Sequence, residues 1–379
     1  MKKFFPSLAA TIAVLILSSA SLAQNGFYVV TNNDPPSANS ATIFQLKGTN
    51  LDIFKTITTG TNGGGGGDFN LIRVVVAKTG SSQCLFVGDA GNSDVASFLL
   101  PGLTKVGNYT DPKGNSSGFG FSMGLATRGN LLFVGYGVSS NIGVFQIGSG
   151  CKLTLLNTYN SVTSVAGMRA TPDGKTLVVG YGFGQNQVDS YSISSQGVLT
   201  EHGPYTSLNG AAGVDITSDS KFAVFGDATG GSTQIEVYPI NSDGTLGSET
   251  SFGGDGSLGS GVDSSSVWLS PNEKFLFVAN NLSKQVTSLG FTESPLNVSF
   301  VGTATLQDSG QIISIGGLTT VSPSGNGGGL YVAEFSGDGL VGLLRINADG
   351  TLTEAPASPF DNGTASSLLS IAAYPPRSF

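Results

Sequence analysis

The sequence has few of the side chains on which enzymes most often rely. Its 379 residues include one histidine, one tryptophan, two cysteines and three methionines, and charged residues make up only 11%. Zinc, haem and iron–sulfur centres are held by sets of His or Cys ligands, and no such set is visible. The net charge of −8 also argues against nucleic acid or anionic lipid as a partner.

Glycine and hydrophobic residues are abundant instead. The chain has 56 glycines and is 39% hydrophobic, which is too apolar for a disordered chain. The glycines do not recur every third residue, so collagen is excluded. Many Val, Thr, Ser and Phe residues between glycines are typical of short strands joined by tight turns.

Long hydrophobic runs are absent except at the start of the chain. Lys2 and Lys3 precede an apolar run over 8–18, and Ser21-Leu22-Ala23 provides a small-x-small cleavage pattern. The alternative is a membrane anchor, but the run is short for a span of about 20 residues. We therefore expect residues 1–23 to be a signal peptide, and the mature protein to be secreted or periplasmic with no membrane span.

A hydrophobic run that ends in Gly or Ala recurs along the whole chain. The steps between neighbouring runs are about 45 to 58 residues, as in propeller blades rather than helical solenoids. An earlier run, "YVVTN" at 28–32, places Val30 in the same position. The other runs end at Gly88, Gly135, Gly180, Gly226, Ala279 and Ala333.

Each repeat has the pattern of four strands, here called a to d from the innermost outward. Residues 163–207 are the clearest case, with "TSVAGMRAT" as strand a, "KTLVVGYG" as b, "QVDSYSIS" as c and "VLTEHGPYT" as d. The turn between c and d recurs as "INSDGTL" and "INADGTL", in which Asp-Gly is a strong hairpin signal.

The number of repeats predicts an all-β, seven-bladed β-propeller with four-stranded blades. The first repeat lacks strand a, whereas "SSLLSIAAYPP" at 366–376 resembles strand a and has no strand b after it. We expect this C-terminal strand to complete the first blade, because an open ring would leave two unpaired edges. Residues 24–379 then form a single domain.

The two cysteines are expected to be unpaired. Cys84 opens strand b of the second repeat, and Cys151 replaces a turn glycine in the third repeat. This alignment places them in different blades and layers, whereas a disulfide needs Cα atoms within about 7 Å. A disulfide in an oxidising compartment is the alternative.

The chain resembles the seven-bladed lactonase-type propellers over nearly all of its mature length. The resemblance lies in "YVVTN" at 28–32, "VANN" at 278–281 and the repeated turn of the type "TPDGK". This group includes bacterial 6-phosphogluconolactonases and surface proteins named for a Tyr-Val-Thr-Asn repeat. The resemblance implies the fold more strongly than the function, because many propellers share these motifs.

The catalytic signature of these lactonases is not matched. They carry Gly-Pro-Arg-His before an inner strand "F-H-P-x-G-K", and a glutamate after the next strand. The nearest segment here has 263–266 (Asp-Ser-Ser-Ser) in place of the first motif, Ser270 for the second His and Asn281 for the Glu. The only histidine, His202, falls in an outer strand, so no catalytic residue and no metal ligand is assigned.

One mouth of the channel should carry the longer loops that join d to a and b to c. The residue after the strand-b Gly or Ala is predicted to face this mouth. Three carboxylates, two phenols and an amide there could hold a sugar, another polar ligand or a cation such as calcium. The alternative is a solvated acidic rim with tyrosines packed between blades. The candidate ligand-binding residues are Asp89, Tyr136, Tyr181, Asp227, Asn280 and Glu334.

Two classes of function follow, and a structural surface propeller with no small ligand is a third alternative. The first is a secreted binding or interaction module for a small molecule, a glycan or a protein, expected to be a monomer. The second is a lactone hydrolase with a non-standard site at the channel mouth. The missing Arg-His pair favours the binding module, because lactone opening needs a base and a group that stabilises the oxyanion. No organic cofactor is expected, and a divalent cation such as calcium is the alternative.

Overall fold

The structure is a computed structural model. No helix in the ranges that it describes is long and apolar enough to cross a membrane. The expected signal peptide, 1–23, lies outside those ranges, and so does Ser366 at the start of the predicted C-terminal strand. The described residues are 27–65, 72–117, 123–182, 185–207, 210–307, 311–317, 329–335, 339–364 and 370–374.

The described residues form seven antiparallel sheets arranged as the blades of a propeller, which confirms the predicted fold. The innermost strand of each blade lies beside the innermost strands of its two neighbours, so the seven strands close a ring. These strands are β4 (Val74–Thr79), β8 (Met123–Arg128), β12 (Gly167–Ala170), β17 (Ala211–Ile216), β21 (Ser264–Leu269), β25 (Gln311–Gly317) and β30 (Ser370–Tyr374).

The second strand of each blade carries the repeated hydrophobic run. Where its side chains are described they are buried, except for one or two half-buried residues at the start of three of these strands. Both faces of each blade are covered by neighbouring blades, so these strands are apolar on both sides instead of alternating. They are β1 (Tyr28–Asn32), β5 (Ser82–Asp89), β9 (Leu131–Tyr136), β13 (Thr176–Gly180), β18 (Phe222–Asp227), β22 (Phe275–Asn280) and β26 (Gly329–Phe335).

The third strands pair with the second strands on their outer side. They are β2 (Ser40–Lys47), β6 (Asp94–Leu100), β10 (Asn141–Ile147), β14 (Gln187–Ile193), β19 (Gln234–Pro239), β23 (Gln285–Glu293) and β27 (Leu340–Ile346).

The outermost strands are the most exposed, and in blades four and seven each is divided into two short strands that pair with the same third strand. A short 3₁₀ turn, Ser149–Cys151, precedes the outer strand of blade three. The outer strands are β3 (Asn50–Thr58), β7 (Thr104–Thr110), β11 (Leu153–Asn160), β15 (Leu199–Glu201), β16 (Tyr205–Thr206), β20 (Thr250–Gly253), β24 (Leu296–Thr305), β28 (Leu352–Glu354) and β29 (Phe360–Asp361).

The C-terminal strand closes the first blade, as the sequence predicts. Strand β30 pairs antiparallel with β1, in a register that sets Tyr28 opposite Tyr374 and Asn32 opposite Ser370. The hydroxyl of Ser370 also accepts a hydrogen bond from the amide of Arg73 at 2.9 Å, at the start of the second blade. The last described strand therefore joins the first blade to the second.

The hydrophobic core lies between the blades. Each of the seven described clusters of buried side chains combines residues from two adjacent blades. In the first, Val30 of blade one packs in the same cluster as Leu85 of blade two. Full burial of such a side chain contributes about 1.5–3 kcal/mol, so the interfaces between blades supply most of the stability.

The expectation of unpaired cysteines is wrong. Cys84 and Cys151 form a disulfide across blades two and three, with Cα atoms 5.6 Å apart. Both residues are buried. The alignment placed them correctly along the chain, but it did not show that the turn carrying Cys151 folds back over the preceding blade.

This overlap is a regular feature of the propeller. In three blades a buried serine of the third strand donates a hydrogen bond to a carbonyl in the turn between the third and fourth strands of the next blade. The bonds are Ser97 to Cys151 at 2.6 Å, Ser190 to Gly244 at 2.8 Å and Ser288 to Gly350 at 2.6 Å. A residue in one of these turns can therefore contact the preceding blade, even though the sequence repeat assigns it to the next one.

Candidate functional site

Five of the six predicted ligand-binding residues lie at one end of the propeller, where the second strands end and the longer loops begin. Four of them, Asp89, Tyr136, Asp227 and Asn280, have no exposed surface, and Tyr181 is 2% exposed. They lie beneath the loops and not on a solvated rim. The sixth, Glu334, pairs with Ile312 through the backbone, and its side chain lies outside what the structure describes.

Asp89 belongs to a polar cluster between blades one and two. Its two carboxyl oxygens accept hydrogen bonds from Asn39 Nδ2 at 2.6 Å and from the hydroxyl of Thr61 at 2.8 Å. Asn108 Nδ2 lies 3.4 Å from Asp89 and donates to Asp94 at 3.0 Å. Both oxygens of Asp89 thus have donors from the protein itself.

The pKa of Asp89 is raised to about 8, chiefly because the side chain is buried. Hydrogen bonds from Thr59, Thr61 and Asn39 act in the opposite direction, and the charge of Asp94 adds to the rise. A carboxyl group with a pKa near neutrality can exchange a proton at physiological pH.

A buried ion pair lies at the same interface. The guanidinium of Arg73 is 2.8 Å from a carboxylate oxygen of Asp34, and neither side chain is exposed. The other oxygen of Asp34 accepts a hydrogen bond from the amide of Gly64 at 2.8 Å. A Cβ at Gly63 would lie only 2.5 Å from the Asp34 backbone. Only glycine at position 63 therefore lets the glycine-rich loop pack against Asp34.

The two tyrosines support loops. A Cβ at Gly114 would lie 2.6 Å from the ring of Tyr136, so the loop that follows β7 packs directly on that ring. The hydroxyl of Tyr181 is 3.1 Å from Asp189 and accepts a hydrogen bond from the amide of Val162 at 3.4 Å. Burial raises the pKa of both phenols well above the ordinary value, so both stay protonated.

Asn280 is also fully bonded within the protein. Its amide nitrogen donates to the hydroxyl of Thr287 at 2.8 Å, and its oxygen accepts from the hydroxyl of Ser264 at 3.0 Å. A Cβ at Gly261 would lie 2.3 Å from this amide, so the loop closes over it. Asn280 therefore holds the loop of blade six in place.

Asp227 has a different environment. One of its oxygens accepts hydrogen bonds from the amide and the hydroxyl of Thr229, at 2.8 Å and 3.0 Å. Its other oxygen, Oδ2, is buried and accepts no hydrogen bond from any described residue. The amide of Asp263 donates to the carbonyl of Gly230, in the loop that follows Asp227. The pKa of Asp263 is raised to about 7, chiefly by burial and further by the charge of Asp227.

The structure does not gather the predicted residues into a single site. Their described hydrogen bonds reach only their own blade or an adjacent one, because the positions repeat around the ring. Within the described part of the chain, no group of three or more His, Cys, Asp or Glu side chains is placed to hold a metal. His202 follows outer strand β15 and bonds to Ser192, away from the innermost strands, as predicted.

The sequence did not point to Arg73 or Asp34 as residues of interest, and it marked Asp263 only as the residue in place of the first glycine of the lactonase motif. Arg73 stands alone in an apolar stretch before β4, which is a signal that a buried partner exists. Asp263 has a positive φ of 64°, an unusual conformation for a residue other than glycine. No sequence motif around Asp263 signals that conformation.

Comparisons with known proteins support the architecture. No family profile matches the chain, and no curated protein is significantly similar to it in sequence. Among solved structures, a Bacteroides fragilis protein provisionally assigned as a 6-phosphogluconolactonase has a TM-score of 0.69 and 16% identity, covering 93% of this chain and 99% of its own. The periplasmic gluconolactonase of Pseudomonas aeruginosa has a TM-score of 0.63 and 14% identity, with coverages of 92% and 98%.

A Lactobacillus plantarum protein is similar to the same extent, with a TM-score of 0.67 and 14% identity over 92% of this chain and 99% of its own. At these identities the likeness establishes the fold. The chain is a seven-bladed β-propeller that shares its fold with these three structures.

Proposed function

We propose that this chain is a secreted or periplasmic lactonase-like propeller that acts as a binding module. Its ligand surface is formed by the loops that cover the buried residues described above. Export is supported by the expected signal peptide at 1–23, and by the Cys84–Cys151 disulfide, since disulfides persist mainly in oxidising compartments.

The observation that carries this proposal is a group of exposed apolar side chains on the loop face. Val138 is 47% exposed and Val162 is 41% exposed, and their loops are joined by the hydrogen bond from the amide of Ser161 to the carbonyl of Ser140 at 2.8 Å. Next to Val138 in the chain, Ser139 accepts a hydrogen bond through its hydroxyl from the amide of Asn115 at 2.9 Å. We call Val138, Val162, Asn115 and Ser139 the blade-three patch.

A surface that combines apolar contacts with a few hydroxyl and amide groups suits a sugar-derived ligand. Sugars and their acids present C–H faces together with hydroxyls, and binding sites commonly pair apolar lining with a small number of orienting polar groups. The names of two structural neighbours, a gluconolactonase and a provisional 6-phosphogluconolactonase, motivate the choice of gluconate and its lactone as probes.

The second candidate function is a lactone hydrolase with a non-standard site. It is favoured by one observation, the two buried carboxyl groups whose pKa values lie near neutrality, Asp89 at about 8 and Asp263 at about 7. A general acid or base works best when its pKa is close to the working pH.

One experiment separates the two functions. The chain from residue 24 is titrated with gluconate in a calorimeter, and hydrolysis of gluconolactone is followed in a pH-stat against the spontaneous rate. The module predicts binding without faster hydrolysis, and loss of binding when Val138→Asp and Val162→Asp are combined. Leu156→Asp is the matched control, because Leu156 is 41% exposed on the outer strand of the same blade.

The outcomes decide between the proposals. Hydrolysis above the spontaneous rate that disappears in Asp89→Asn or Asp263→Asn would replace the binding module by the hydrolase. If gluconate is neither bound nor released from the lactone, sugar acids are not the ligand class and the proposal fails as stated.

A further inference from the structure

The interface between blades five and six contains buried oxygen atoms that the protein does not satisfy. Asp227 ends β18, Asp263 lies just before β21, and Asn281 follows β22. Their exposed fractions are 0%, 2% and 0%. One side-chain oxygen of each residue, namely Asp227 Oδ2, Asp263 Oδ1 and Asn281 Oδ1, accepts no hydrogen bond from any described residue.

Hydrogen bonds hold Asn281 beside Asp263, and they hold Asp263 against the loop that follows Asp227. Asn281 donates its amide to the carbonyl of Asp263 at 2.8 Å, and its side-chain nitrogen to Asp263 Oδ2 at 3.0 Å. The amide of Asp263 donates to the carbonyl of Gly230 at 3.3 Å, in the loop that follows Asp227. Because the side-chain nitrogen of Asn281 faces Asp263, its oxygen is the atom left without a donor.

All three unsatisfied atoms are acceptors. A proton shared by the two carboxyl groups would serve at most two of them and would leave the amide oxygen of Asn281 unpaired. Buried acceptors in folded proteins almost always have a partner from the protein, from water or from an ion, so a group supplied by the solution is expected here. One water molecule has two O–H donors and would also leave one of the three acceptors unpaired. A cation differs from a proton in that it can be coordinated by all three oxygens at once.

The chemistry of the ligands selects the ion. Two carboxylates and an amide carbonyl are hard oxygen ligands, and their combined charge is balanced by a divalent cation. Calcium accepts six to eight such oxygens in flexible geometry and completes its shell with backbone carbonyls and water, whereas magnesium requires a rigid octahedron.

We propose that the side-chain oxygens of Asp227, Asp263 and Asn281 form a calcium site that joins blades five and six. This site is distinct from the blade-three patch and does not depend on the ligand of that patch. With two carboxylates in the set, its affinity should fall in the range of extracellular modules, with a Kd of about 10⁻⁴–10⁻³ M.

The test uses the chain from residue 24, freed of metal by a chelator and dialysis. Unfolding is followed by circular dichroism with and without about 5 mM calcium, and binding by titration calorimetry. Calcium should raise the Tm of the wild type by about 2 °C or more, and magnesium should raise it less. Asp227→Asn and Asp263→Asn should abolish the calcium effect.

Asp89→Asn is the matched control, because Asp89 occupies in blade two the position of Asp227 in blade five and has donors for both oxygens. It should keep the full calcium shift. If an Asp→Asn chain does not fold, calorimetry on the wild type still decides the case. No heat and no Tm shift with calcium, a shift with magnesium alone, or a shift retained in Asp263→Asn would each overturn the proposal.

Discussion

Asp89 and Asp227 occupy the same position in two blades, yet their surroundings differ. Around Asp89, between blades one and two, side chains such as Asn39 and Thr61 supply a donor for each carboxyl oxygen. Around Asp227, Thr229 satisfies one oxygen and the other is left without a described donor. The repeat therefore fixes where a carboxyl group lies, while the loops of the neighbouring blade decide what it can bind.

The two interfaces also differ in how charge is balanced. Between blades one and two, the carboxylate of Asp34 is paired with Arg73, a buried cation that the protein itself provides. Between blades five and six, the negative charge of Asp227 repels that of Asp263, and the proposed calcium ion would neutralise both carboxylates. The cation of the first interface is thus part of the chain, whereas we expect the second interface to depend on solution conditions.

The largest effect is expected from removing residues 370–379. This deletion takes away β30, which pairs with all of β1 and joins Arg73 through Ser370. The interface between blades one and two should open first, and the truncated chain should aggregate or fail to unfold cooperatively. Hydrogen exchange would locate the opening. A truncated chain that unfolds at the wild-type Tm would contradict closure by the C-terminal strand.

The next largest effect is expected from Arg73→Met. The substitution leaves the carboxylate of Asp34 buried without its cation, and should lower the free energy of unfolding by about 3–5 kcal/mol. Urea denaturation measures the change. Arg73→Met combined with Asp34→Asn is the control and should recover much of the loss. Equal losses in the single and double variants would show that packing, and not charge balance, dominates this interface.

Removing the disulfide should have a smaller effect. Cys84→Ala with Cys151→Ala takes away a link between residues 67 positions apart and should lower the free energy of unfolding by about 2–4 kcal/mol. Because the link joins blades two and three, local hydrogen exchange around Asp227 should not change. Thiol titration of the unreduced, denatured wild type should find no free thiol, and two free thiols would contradict the pairing.

The smallest expected effect, for a change of one pH unit, is the dependence of stability on pH, at about 1.4 kcal/mol per unit for one carboxyl group. Asp89 has a pKa of about 8 in the folded protein, against 3.8 as the ordinary value. From about pH 4 to pH 8 the unfolded chain therefore binds fewer protons than the folded one. The stability linked to this group is present below about pH 4 and is lost as the pH rises through about 8.

Burial of Asp263 has the same effect on the free energy of unfolding. In the absence of calcium, its stabilising contribution is lost as the pH rises through about 7. The Tm of metal-free protein should therefore fall more steeply between pH 5 and pH 8 than that of Asp89→Asn or Asp263→Asn. Asp52→Asn, which removes an exposed carboxylate, is the control. Identical slopes in all four proteins would show that neither buried carboxyl group titrates in this range.

The fold could be predicted from the sequence because its signals are local. The run that ends at Gly180, the turn at Pro172-Asp173-Gly174 and the Asp-Gly turns each define a strand or a hairpin within a few residues. The pairing of β30 with β1 followed from counting the repeats. These features depend on neighbouring residues or on a regular period, and both are visible in the sequence.

The candidate site could be predicted only in position. The residues after the strand-b Gly or Ala do lie at one end of the ring, but packing of Gly63 on Asp34 and of Gly114 on Tyr136 buries that end under loops. Such contacts join residues about twenty or more positions apart in irregular segments, and no periodic signal reports them. The disulfide was missed for the same reason, since the turn with Cys151 overlaps another blade.

The direct test of the difference between the two interfaces is equilibrium dialysis of the metal-free chain against radioactive calcium. We predict about one bound ion per chain, near millimolar calcium, for the wild type and for Asp89→Asn, and none for Asp263→Asn. Absence of bound calcium in the wild type, or equal binding by wild type and Asp263→Asn, would contradict the account of an interface between blades five and six that is completed by a cation.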